Sequence, residues 1–154
     1  MPTLLLYGFP QKSFLDGLAG KGRELSFLIP EGRPLLWGAQ EVAPQIVAKG
    51  WPVRLITDNM MAYCFSKGMV QEAYIFSQQD TAEGAWCPTG ALILAIAARA
   101  HQVPLKVLPA AKALAKISEN GEENLFYLGG KRTAPQGIKG YAPLVELVPR
   151  KYIQ

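Results

Sequence analysis

The chain has a single histidine, His101, and only two cysteines, Cys64 and Cys87, among 154 residues. The cysteines are not in metal-ligand spacing and His101 trails an apolar helical run, so this inventory argues against a zinc site and a Ser-His-Asp triad. No metal and no cofactor is expected. A long hydrophobic run is also lacking. The longest, residues 91–98, falls far short of the roughly 20 residues a membrane span needs. The start, Met1-Pro2-Thr3-Leu4, has no basic n-region and no small-residue cleavage site, so no signal peptide and no membrane partner are expected, and a cytoplasmic location follows by elimination. Strong charge of one sign is missing too. The net charge is +4, and the densest basic group (Lys131, Arg132, Lys139, Arg150, Lys151) is broken up by proline and glycine. With no RNA- or DNA-reading signature, a solvated basic tail is the default and nucleic acid the minority reading.

What is present is apolar material, 49% of the residues, enough for the core of one ordinary domain. Five short, almost continuously apolar runs fit parallel strands buried on both faces: 3–8 (TLLLYG), 25–29 (LSFLI), 53–57 (VRLIT), 73–77 (AYIFS) and 105–108 (LKVL). Helical spacing joins Ala39, Val42, Ala43, Ile46 and Val47, with Pro44 marking either a start or a kink. Asp58-Asn59 reads as a cap for a helix over 60–67 that Gly68 ends. The segment 89–99 is apolar nearly all round, with Pro88 pre-set for its first turn, and is expected to be a buried helix. Residues 124–128 (NLFYL) read as one more strand, and 145–148 as a short apolar segment in a Pro/Gly-rich tail. The pattern predicts a single α/β domain over 1–154, a Rossmann-like open parallel sheet with helices on both faces.

In such sheets the ligand crevice lies outside the carboxyl ends of the strands. The loops there hold Gly8, Arg33, Gly38, Asn59 and Gln79, with Asp58 and Asp80 as candidate acid/base carboxylates. Asp58 reads equally as a helix cap and Asp80 as a turn residue. Cys87, just before the 89–99 helix, is the candidate nucleophile, because the positive end of a helix lowers a thiol pKa; a buried apolar cysteine beside Trp86 is the alternative. Thr89 and Gly90 head that helix with no acidic neighbour in sequence, and with Arg33 they are the expected anion donors.

Three stretches together resemble the methylthioribose-1-phosphate isomerase and initiation-factor-two-B regulatory-subunit family, specifically its C-terminal half. Residues 31–39 (EGRPLLWGA) resemble an E-x-R-P-L-x-x-G-A segment. Residues 53–62 (VRLITDNMMA) resemble a V-T-L-I-x-D-S-M-A-A strand and helix start. Arg132-Thr133-Ala134-Pro135, with Pro143 and then Leu147-Val148-Pro149, resembles the tail R-T-A-P … N-P-x-F-D-x-T-P. The resemblance implies the Rossmann-like fold, a homodimer formed through this domain, and a sugar-phosphate or nucleotide ligand. It also implies that the family's helical N-terminal domain is absent from this chain.

The isomerase motifs, however, are eroded. The first loop has no thiol, Gln79 stands where the acid/base aspartate falls, Cys87-Pro88 replaces an Asn-Lys phosphate pair, and Trp37 replaces a glutamine. An aldose–ketose isomerisation needs a proton donor and acceptor at the sugar carbons. The leading expectation is therefore a non-catalytic regulatory or ligand-binding domain. The alternative is a small isomerase-like enzyme with a rearranged site around Cys87, Asp80 and Asp58.

Overall fold

The structure, a computed structural model, describes residues 1–153. Its strands in chain order are β1 (Thr3–Tyr7), β2 (Ser26–Pro30), β3 (Val53–Ile56), β4 (Glu72–Ser77), β5 (Gln79–Asp80), β6 (Gly84–Pro88), β7 (Leu105–Pro109), β8 (Tyr127–Leu128), β9 (Lys131–Arg132) and β10 (Val145–Pro149). The helices are α1 (Lys12–Ala19), α2 (Ala43–Ala48), α3 (Met61–Ser66), α4 (Ala91–Ala100) and α5 (Glu122–Leu125). The five apolar runs form one parallel sheet in the order β3-β2-β1-β4-β7. Leu5 of β1 sits opposite both Leu28 of β2 and Ala73 of β4, and all three are buried. That is why β1 shows no polar alternation. The edge strands carry what the centre cannot: Arg54 on β3 and Lys106 on β7 are exposed. Right-handed crossovers put α1 and α2 on one face, and α3 and α4, which pack on each other, on the other. The strand order reverses between β1 and β4, so the crevice expected of this fold opens after Tyr7 and Ser77.

Several expectations need correction. Of the two readings left open for Pro44, the structure puts it in the first turn of α2, directly after a π-helical turn over Gly38–Val42 that runs into that helix. Thr57, not Asp58, precedes the turn into α3, while Gly68 ends that helix in a left-handed conformation, φ 64°. Pro88 is the last residue of β6, not the first turn of α4. Residues 124–128 are not a strand of the main sheet: α5 takes the first part, and only Tyr127–Leu128 is extended, as β8 in a small hairpin with β9.

The second sheet, antiparallel β10-β6-β5, was not foreseen. The sequence of β6 (GAWCP) contains a glycine and a proline, and its signal is weak by composition. Gly84 is required there, because a Cβ would run into the Val148 carbonyl of β10.

Candidate functional site

At the carboxyl end of β1 the chain turns at Gly8, φ 101°, whose Cα lies so close to Phe76 that a side chain would meet its backbone. Behind it three aromatic residues close the crevice. Trp37 is 3% exposed, with its ring 4.9 Å edge-on from Tyr7 and 5.7 Å from Phe9. Gly32, φ 76°, gives the indole its room. Gly38 is also a packing residue, since a Cβ on it would meet the Pro30 carbonyl. Gly8 and Gly38 are thus buried against backbone, and an indole packs against the residues that follow β1 at the reversal point of the sheet.

Asp58 spends both carboxylate oxygens on backbone: Oδ1 accepts from the Gly32 N–H at 2.8 Å and Oδ2 from the Arg33 N–H at 2.7 Å. This ties the β2 loop to the β3 loop and gives Asp58 a structural part in the site. Arg33 is committed as well. Its guanidinium donates to the carbonyls of Tyr127 at 3.0 Å and Leu125 at 3.2 Å, clasping the α5–β8 segment onto the sheet end. Glu31, beside them, has its carboxyl pKa raised, first by burial and then by the Asp58 charge. Asn59 is exposed and accepts from the Thr57 hydroxyl at 2.7 Å.

The head of α4 departs most from expectation. An acidic residue is present there, supplied from far along the chain. Oε1 of Glu146, on β10, accepts from the N–H groups of Gly90 and Leu92, each at 2.8 Å. The positive end of α4 is therefore occupied by the protein's own carboxylate. The Thr89 hydroxyl donates to the Pro143 carbonyl at 2.7 Å, and the Tyr7 hydroxyl to the Thr89 carbonyl at 2.5 Å. Burial first, then the charges of Asp58 and Glu146, push the Tyr7 phenol well above its ordinary pKa, so it stays a donor. Gly90, φ 109°, lets that hydroxyl in.

Cys87 is fully buried on β6, its Sγ 3.5 Å from the Ala85 carbonyl. Burial, with Glu146 and Asp80 adding to it, pushes its thiol pKa up to about 12, the reverse of what a nucleophile needs. Burial also raises the Cys64 thiol. Both cysteines should resist iodoacetamide at pH 8 in the folded protein and react once it is denatured. Rapid labelling of native Cys87, read by mass spectrometry, would restore the nucleophile reading.

Gln79 and Asp80 lie exposed on β5, in the second sheet, where Asp80 pairs with Arg150 at 2.7 Å. The carboxamide of Gln78, just before them in the chain, accepts from the Leu114 N–H and donates to the Ala115 carbonyl, holding the chain after β7. The structure thus gathers Asp58 with Arg33, and Thr89, Gly90 and Cys87 around Glu146. Gln79 and Asp80 lie on β5, beside the β6 strand of Cys87 but with Asp80 paired to Arg150. A cleft of about 600 Å³ opens at this end, lined by Arg33, Pro34, Thr89, Leu125, Tyr141 and Glu146, among others.

The model of the Initiation factor 2 subunit family matches residues 12–154. The 5-deoxyribose 1-phosphate isomerase of Moorella thermoacetica is 32% identical over 146 residues, covering 88% of this chain and 42% of that protein. Among solved structures, the delta subunit of translation initiation factor eIF-2B from A. fulgidus superposes with a TM-score of 0.87 at 21% identity, over 99% of this chain and 50% of that one. The 5-methylthioribose 1-phosphate isomerase from Pyrococcus horikoshii OT3 gives 0.81 at 24% identity, over 99% of this chain and 48% of that one. Both structural likenesses are of fold. The chain spans about half the length of the proteins it matches, or less.

Proposed function

Since this chain belongs to the Initiation factor 2 subunit family, we propose that it is a non-catalytic regulatory or ligand-binding member, keeping the scaffold and not the isomerase chemistry. The observation that carries this reading is the carboxyl end of the sheet. Trp37 packs into the reversal point, Glu146 holds the head of α4, and both oxygens of Asp58 accept from backbone N–H groups, so neither Asp58 nor Glu146 stands there as a free acid/base group. An isomerase-like enzyme is the second reading. It draws on the name of the Moorella relative, and Cys87 and Asp80 as placed here give it no support. The test is incubation with methylthioribose 1-phosphate and 5-deoxyribose 1-phosphate. The aldose signal should persist by NMR, and ketose formed at an enzymatic rate would overturn the proposal.

A sugar phosphate or nucleotide remains the ligand to screen first in the 600 Å³ cleft. Its anionic group is denied the N–H groups of α4 while Glu146 holds them, so the anion preference expected from Arg33, Thr89 and Gly90 gives way to binding through the uncharged part. The two free, buried cysteines suit a reducing compartment such as the cytoplasm. Among the described residues no helix is long and apolar enough to cross a membrane.

The homodimer belongs to the same proposal. α4 does not bury its whole circumference: Leu94, Ala95 and Ala98 face the core, but Ile93 is 62% and Ile96 45% exposed. On the neighbouring α3 side Met60 and Tyr63 are exposed too. These side chains form the apolar surface for a twofold contact. Light scattering should give a dimer mass at micromolar concentration and a monomer for Ile93→Asp. A wild-type monomer mass at every concentration would end the dimer proposal.

A further inference from the structure

The pole opposite the cleft, at the amino ends of the strands, carries a feature that the reading above does not use. A cavity of about 410 Å³ lies there between the chain following α1 and the start of β4 and β7, within the roughly 300–1,000 Å³ range of small-molecule sites. Its apolar lining comes from Leu4, Leu18 and Leu25, with the Tyr74 ring among them. Its charged lining is unbalanced: Lys21, Arg23 and Lys106 face one carboxylate, Glu72.

That carboxylate is already engaged. It pairs with Lys106 and accepts from the Tyr74 hydroxyl at 2.7 Å, and Lys106 Nζ stands 5.6 Å over the Tyr74 ring. Lys106 and Tyr74 are thereby fixed, and the Glu72 carboxyl is held below its usual pKa against its own burial, mainly by these hydrogen bonds and then by the charges of Lys106 and Lys21. Lys21 and Arg23 form no ion pair among the described residues. Two cations outside any ion pair, with Lys21 near enough to Glu72 for its charge to be felt there, therefore stand over an apolar pocket with an aromatic wall.

We propose that this cavity at the amino pole of the sheet binds a small amphipathic anion, its aromatic or branched aliphatic body against Leu4, Leu18, Leu25 and Tyr74 and its phosphate or carboxylate on Lys21 and Arg23. A guanidinium and an ammonium side by side recognise an oxyanion by charge-assisted hydrogen bonds. The apolar lining selects against inorganic phosphate, which has nothing to bury there. Because this pocket lies at the other end of the strands, the proposal stands or falls independently of the function assigned to the cleft.

The test titrates the protein with phenyl phosphate and with inorganic phosphate, following amide NMR shifts. Phenyl phosphate should bind once per chain, at least about tenfold more tightly than inorganic phosphate, with shifts confined to residues 2–4, 18–25, 71–74 and 104–106. The double variant Lys21→Gln/Arg23→Gln should weaken phenyl phosphate about tenfold or more, with an unchanged spectrum elsewhere showing that it is folded. Lys67→Gln/Lys131→Gln, which removes the same charge at distant positions, should bind as the wild type does. Equal affinity for the two phosphates, equal weakening in both double variants, or shifts centred on Thr89 and Glu146 would each overturn the proposal. Phenylacetate in place of phenyl phosphate reports whether a carboxylate head is accepted as well.

Discussion

Trp37→Ala should destabilise the protein by about 3–5 kcal/mol, the usual cost of deleting a fully buried aromatic. The indole is 3% exposed and touches Tyr7 and Phe9, so its loss opens a void at the reversal point of the sheet, where the backbone is already held by Gly8, Gly32 and Gly38. Those glycines leave no side chains to collapse into the space, which puts the cost toward the upper end. Urea unfolding followed by circular dichroism measures it, and a loss below about 1 kcal/mol, the scale of a surface change, would mean that Trp37 is not the plug of the crevice. Trp37→Gln should cost less than alanine, since it fills part of the volume and can hydrogen-bond a water admitted with it.

Glu146→Ala should cost about 2–3 kcal/mol, because one carboxylate oxygen satisfies two N–H groups at the head of α4 in partly buried surroundings. Glu146→Gln keeps an acceptor in place and should cost only about 1 kcal/mol. The alanine variant has a second expected signature. With the N–H groups of Gly90 and Leu92 freed, ribose 5-phosphate should raise its melting temperature more than it raises that of the wild type, since a ligand of the folded state stabilises by mass action. If the variant melts like the wild type and gains no phosphate response, Glu146 is not holding the anion position.

The parallel sheet was legible because its signal is local and redundant. Runs such as LLLY in β1 and AYIF in β4 can be buried on two faces and suit little else, and the five continuously apolar runs all lie in the sheet, whereas the sixth expected strand, 124–128, does not. The candidate site was legible only as positions. Asp58, Arg33, Thr89 and Gly90 do lie at the carboxyl end of the sheet, but what each does depends on partners far along the chain. Arg33 looks like an anion donor until Leu125 and Tyr127 are laid across it. Thr89-Gly90 looks like an open helix head until Glu146 is paired in by β10. Cys87 precedes a helix, as a reactive thiol would, yet it sits in a strand of a second sheet whose existence depends on that same distant segment. Spacing along the chain carried no signal for these. Glu146 falls where the resembling family motif has an aspartate, and that alignment was the one available clue.

The β10–β6 pairing also bears on how the protein is made. Gly90 and Glu146 are 56 residues apart in sequence, and Val145 pairs with Pro88 across a similar interval. During synthesis the five-stranded sheet can assemble once β7 has emerged. At that stage the head of α4 still lacks its carboxylate and β6 lacks one of its two neighbours. Closing so large a loop is slow relative to local pairing, and a ribosome adds roughly 5–20 residues per second. The nascent domain therefore passes through a stage, seconds long, with an unpaired edge on β6 and the apolar α4 incompletely anchored. Chaperone binding during translation should be concentrated in that interval and should fall once Glu146 has cleared the exit tunnel.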